Sequence, residues 1–107
     1  MKVDPDLKYQ VGEILALVQK IAPGKSVELR IPQYSAIQCV SGSVHRRGTP
    51  PNVVEMSAQT LINLVEDPNL WGELCSNGTI SASGTNSNLE ELFIQISKLS
   101  QKSRLEI

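Results

Sequence analysis

The sequence predicts an α+β, two-layer sandwich: an antiparallel-rich sheet covered on one face by helices. Three observations predict it. Leu7, Val11, Ile14, Leu15, Val18 and Ile21 recur at spacings of 4, 3, 1, 3 and 3, an apolar stripe of helical period. From Ser26 to Ile31 apolar and polar residues alternate, the period-2 signature of a half-buried strand. Two further helical stripes then follow, at Leu61, Leu64 and Val65 and at Leu89, Leu92, Phe93, Ile96 and Leu99, so helices and strands mingle along one chain.

The first helix opens where Asp4 serves as N-cap. Pro5 falls at N1, where its missing N–H costs nothing, and Asp6 places negative charge at the positive end of the helix dipole. Ala22-Pro23-Gly24 ends it. In the strand Ser26–Ile31 the residues Val27, Leu29 and Ile31 are expected to face the core and Arg30 the opposite side. Pro32-Gln33-Tyr34 reads as a turn, and Ser35–Val40 as an antiparallel return strand. The stretch from Ser41 to Asn52 is the least regular, with room for a short edge strand around Val44, because prolines and charges suit sheet edges. Val53–Met56 is a further short strand.

Ser57 caps a second helix from Ala58 to about Glu66, which Asp67-Pro68 stops. Pro68 also opens a third, short helix carrying Leu70, Trp71, Leu74 and Cys75, closed by Asn77-Gly78. Thr79–Ser83 is a small-residue strand between two glycines. Asn88 as N-cap, with Glu91 three residues on, opens the last helix, and Lys98, Lys102 and Arg104 complement the dipole at its far end. Residues 1–107 are read as one domain whose last residues, about 100–107, fray.

Composition bounds the function. The chain has 107 residues, with ten Lys+Arg against eleven Asp+Glu and a formal charge of −1. That leaves no electrostatic excess for a phosphate backbone or an anionic membrane, so nucleic-acid partners are not expected. Aromatics are 4% of the chain, too few for a series of stacking platforms. Cys39 and Cys75 lie 36 residues apart in apolar surroundings with no CxxC, and read as reduced thiols. No apolar stretch approaches the length of a membrane span, and no apolar leader precedes the first acidic residues; the expected location is the cytoplasm, without integral membrane contact.

Part of the chain resembles a known family. Val53-Val54-Glu55-Met56-Ser57-Ala58-Gln59-Thr60-Leu61, followed by Trp71–Gly84, is similar to the second half of sterol carrier protein domains of the type-2-like superfamily. More specifically, Ala22–Pro32 and the string Arg47-Gly48-Thr49-Pro50-Pro51-Asn52-Val53-Val54-Glu55 resemble a bacterial, mostly actinobacterial, branch of sterol carrier-like proteins. The resemblance spans about residues 5–99, and the Arg47–Glu55 string is its most specific part. It implies a curved, mostly antiparallel sheet of about five strands with an apolar tunnel between sheet and helices. Better-studied relatives hold fatty acyl chains, acyl-CoA or sterols there without catalysing a reaction. This chain departs from them in short second and third strands and in a Thr49-Pro50-Pro51 loop that replaces a longer connection.

Each candidate site has two readings. Leu61, Leu64, Trp71, Leu74, Phe93, Ile96 and Leu99 line a tunnel for an acyl or sterol-like ligand if one exists, and otherwise simply pack as core. An empty cavity costs roughly 24 cal/mol per Å³, so a ligand-sized void of roughly 300 Å³ is severe for a domain stabilised by about 5–15 kcal/mol. Any such tunnel is therefore expected to be filled or closed. Arg46 and Arg47 offer charge-assisted contact to a carboxylate or phosphate head group; the alternative is a solvated loop or an ion pair with Glu55. His45 is the only histidine, with no oxyanion loop or orienting partner in the sequence, so no catalytic residue is assigned. A lone histidine cannot supply a three-residue metal set, so neither metal nor cofactor is expected. Two functions remain in view: a non-enzymatic lipid-binding or carrier domain, and a structural or interaction domain, dimeric through itself, that keeps the fold without an open tunnel.

Overall fold

A computed structural model describes residues 3–42 and 51–105. Helix α1 (Pro5–Ile21) begins as its sequence dictates: the Asp4 carboxylate accepts from the amides of Asp6 and Leu7, at 2.8 and 3.4 Å. Its stripe turns Val11, Leu15 and Val18 into the core. The chain then enters strand β1 (Val27–Ile31), where Val27, Leu29 and Ile31 are fully buried while Arg30 lies on the outer face beside Glu28, with which it pairs.

Strand β2 (Ser35–Cys39) returns antiparallel to β1, joined by a turn in which the Tyr34 amide donates to the Ile31 carbonyl at 2.9 Å. Gln33 sits in that turn at φ +74°; with Pro32 before it, this is the residue pattern of a type II turn, which places its third residue in the left-handed region. Strand β3 (Asn52–Glu55) pairs with β1 in parallel, Leu29 opposite Val54 and Arg30 opposite Glu55. Strand β4 (Ser81–Ser83) closes the sheet antiparallel to β3, giving the order β2-β1-β3-β4. The sheet thus has four strands among the described residues, where about five were expected. The candidate around Val44 lies outside those residues. The expected strand at Thr79–Ser83 is shortened because Thr79 is held in a turn, its amide donating to Asn77 Oδ1 at 2.9 Å, and the Ile80 amide bonds back to the Leu74 carbonyl.

Helix α2 (Ala58–Glu66) starts at Ser57, whose hydroxyl accepts from the Thr60 amide at 3.1 Å. A 3₁₀ turn, Pro68–Leu70, capped by the Asp67 carboxylate, leads into the short helix α3 (Trp71–Ser76). Helix α4 (Glu90–Leu105) opens where Asn88 Oδ1 accepts from the Glu90 amide at 3.0 Å. α1, α2 and α4 pack on one another, and their inward side chains form one apolar cluster with Val27, Leu29, Ile31 and Val54 of the sheet.

One buried polar centre fixes the end of the sheet where β1 and β3 begin. Asn52 is 2% exposed; its amide nitrogen donates to the Ser26 carbonyl and hydroxyl at 2.9 and 3.2 Å, and its oxygen accepts from the Asn86 amide at 2.9 Å. A single side chain thereby joins β1, β3 and the loop that leads from β4 to α4, with no buried side-chain nitrogen or oxygen left unpaired among the described residues. Gly84 packs on this amide at φ +105°, and a Cβ there would fall on Asn52 Oδ1.

Candidate functional site

The candidate site is the apolar layer between the helices and the sheet. α2 contributes Leu61 and Leu64, both fully buried, because its Ser57 cap and helical period aim them at the sheet. α3 contributes Trp71, 4% exposed, and α4 contributes Phe93 and Ile96, at 0% and 1%. The Trp71 and Phe93 rings stack, with centroids 6.1 Å apart and planes at 25°. Five of the seven apolar residues singled out in the sequence therefore meet in one cluster. The other two stand apart from its centre: Leu74 is half-buried against it, and Leu99 is 45% exposed.

The layer is closed. A side chain bordering a void wide enough for water shows surface to that void, and Leu29, Val54, Leu61, Leu64 and Phe93 show none. Four clefts formed by described residues lie elsewhere. One of about 370 Å³ lies where β1 and β3 end, lined in part by Tyr34, Glu55, Ser57 and Thr79. A neighbour of about 350 Å³ runs from Arg30 to Ala36. The remaining two, of about 460 and 290 Å³, flank Tyr9 on α1. None of these four is lined by Leu61, Leu64, Trp71, Phe93 or Ile96.

His45, Arg46 and Arg47 lie outside the described residues, so the head-group contact and the ion pair with Glu55 expected of the arginines are not located. Opposite Glu55 in the sheet register stands Arg30, whose guanidinium pairs with Glu28. Both cysteines are free thiols. Burial pushes the Cys39 thiol up to about 11, so it stays protonated at neutral pH. Cys75, half-buried, is raised by burial first and then by the Glu90 carboxylate. Among the described residues no group of three His, Cys, Asp or Glu side chains could hold a metal ion, and no helix is long and apolar enough to cross a membrane.

Two residues escape a reading by periodicity. Asn52 sits at an inward strand position normally filled by an apolar side chain, and only its place in the Arg47–Glu55 string marks it. Tyr9, 69% exposed, lies off the buried stripe of α1 and carries no sequence signal beyond that.

Comparison with known proteins bears on this architecture. The model of a family described as bacterial SCP ortholog matches residues 5–94. The solved structure of a UbiJ-SCP2 ubiquinone synthesis protein superposes with a TM-score of 0.51 at 12% identity, covering 91% of this chain and 93% of that one, which is a likeness of fold. No curated protein matches the sequence.

Proposed function

The chain belongs to the bacterial SCP ortholog family, and from that premise we propose that it is a non-enzymatic, carrier-type domain that holds one acyl or sterol-like ligand between its helices and its sheet. The observation that carries this reading is the chemistry of the layer itself. Leu29, Val54, Leu61, Leu64, Trp71, Phe93 and Ile96 present aliphatic and aromatic side chains to one another across it, the lining an apolar chain requires.

Because the layer is closed, entry of a ligand requires the helices to part. Holding a dry void of roughly 300 Å³ would cost about 7 kcal/mol, comparable to the whole stability of a small domain. Closure in the absence of ligand is thus the lower-energy state. A bound chain replaces the lost contacts with its own, at roughly 0.8 kcal/mol per buried CH₂. The mobile partners in this account are α3, short and set on a 3₁₀ turn, and α4, whose Phe93 stacks on Trp71. Arg46 and Arg47 would then serve the head group of an anionic lipid.

Lipid extraction tests this. Protein purified without detergent and analysed by mass spectrometry is expected to yield one apolar ligand per chain at substantial occupancy. Absence of any co-purified lipid, together with no saturable uptake of a fatty acid, contradicts it. The closed layer also favours a second reading, an interaction domain that keeps the fold without a tunnel and associates with itself. A concentration-dependent dimer that takes up no lipid is its expected signature.

A further inference from the structure

We infer that the outer face of α1 is a self-association surface, on which a second copy of this chain docks with Tyr9 of each copy seated in the groove between α1, α2 and α4 of the other. Tyr9 is 69% exposed and stands as a ridge between two grooves. The first, about 460 Å³, runs along α1 past Pro5, Lys8 and Gly12. The second, about 290 Å³, has Ile14 of α1 and Ile62 and Val65 of α2 as its apolar walls, with Gln10, Glu66 and Ser100 around its mouth.

A twofold-symmetric dimer needs a patch that is complementary to itself, with projection and recess on one face, and this face has both. A tyrosine suits the recess, because its ring is apolar and its hydroxyl is left at a polar rim. Charge points the same way. Among the described residues the second groove has the carboxylates of Glu13, which it shares with the first groove, and Glu66 at its rim and no cation, while Lys8 stands beside the tyrosine that would enter it. Each copy therefore brings a lysine to the other's acidic rim. The chain's charge of −1 sets no general repulsion against pairing. At Gly12 a Cβ would meet nothing within 4 Å, so the first groove has a bare floor and a second helix can approach closely. One helix face and one groove are a small contact area, so the dimer is expected to be weak and concentration-dependent.

The inference deepens the self-association reading by naming its face, and does not require a bound lipid. Sedimentation equilibrium from about 10 μM to about 1 mM is the test, since that range spans weak protein pairs. The expected result is a monomer–dimer equilibrium that Tyr9→Ala weakens at least about tenfold. Gly12→Arg, whose Cβ would meet nothing within 4 Å and which improves helix propensity, is expected to keep the fold and abolish the dimer. Lys8→Glu and Glu66→Lys are each expected to weaken pairing, and the double variant to restore it. A chain that stays monomeric throughout the range overturns both this inference and the self-association reading. A dimer unaffected by Tyr9→Ala and Gly12→Arg overturns this face alone, leaving self-association elsewhere.

Discussion

Trp71 of α3 and Phe93 of α4 stack with their ring centroids 6.1 Å apart, and this pair joins the shortest helix of the layer to the last one. Phe93 is fully buried. Phe93→Ala is expected to cost about 3–5 kcal/mol, read from denaturant midpoints at constant slope. Because Trp71 is the only tryptophan, the same variant is expected to shift its emission, which reports loosening at α3 directly. A loss under 1 kcal/mol would show that this part of the layer is not packed as described.

The Asn52 centre predicts coupled behaviour. Gly84→Ala places a methyl group on the Asn52 amide at a backbone angle of φ +105° that alanine disfavours, and is expected to destabilise by at least about 2 kcal/mol. Asn52→Ala removes the partner of Ser26 and Asn86 and is expected to cost about 1–3 kcal/mol. Since the two changes act on one contact, the double variant should be less destabilised than the sum, a departure of at least about 0.5 kcal/mol in a double-mutant cycle. Strict additivity would refute the contact.

Gln33 occupies the turn position where φ is +74°. A side chain there costs about 1–2 kcal/mol relative to the right-handed region, and glycine does not pay it. Gln33→Gly is exposed and is expected to raise stability by up to about 1 kcal/mol, measured as a higher melting temperature.

The Cys39 thiol gives a pH signature. Its value rises from the ordinary 9.0 to about 11 on folding, through burial. The folded protein thus retains a proton that the unfolded chain releases above pH 9, so this contribution to stability is intact below 9 and falls as pH rises towards 11. Cys39→Ala is expected to flatten that decline in denaturation curves taken across the interval. With a thiol reagent near pH 8, Cys75, which is half-buried, is expected to react well before Cys39.

Local chemistry made much of the fold legible. Asp4-Pro5, Ser57 and Asn88 each mark a helix start, and the alternation in β1 assigns Val27, Leu29 and Ile31 to the interior, where they lie. Less legible were features set by distant residues. The parallel pairing of β1 with β3 depends on how the chain crosses between them, which no local period encodes. β4 is short because Asn77 holds Thr79 in a turn, a side-chain competition that a run of small residues hides. In the candidate layer, helical stripes foretold Leu61, Leu64, Trp71, Phe93 and Ile96 correctly as apolar positions of α2, α3 and α4. Their period could not distinguish lining from core, because both demand the same side chains. Leu99, on the same stripe, is 45% exposed, while the next residue, Ser100, is the one that lies against α1 and α2.

The central claim, that this closed apolar layer opens around one ligand, is tested most directly by energy transfer from Trp71 to a polyene fatty acid. The account predicts saturable transfer with one site per chain, weakened when Trp71 is kept as donor and Phe93 or Ile96 is replaced by a charged residue that still permits folding. Transfer that rises without saturating, or a saturable signal indifferent to those substitutions, would contradict it.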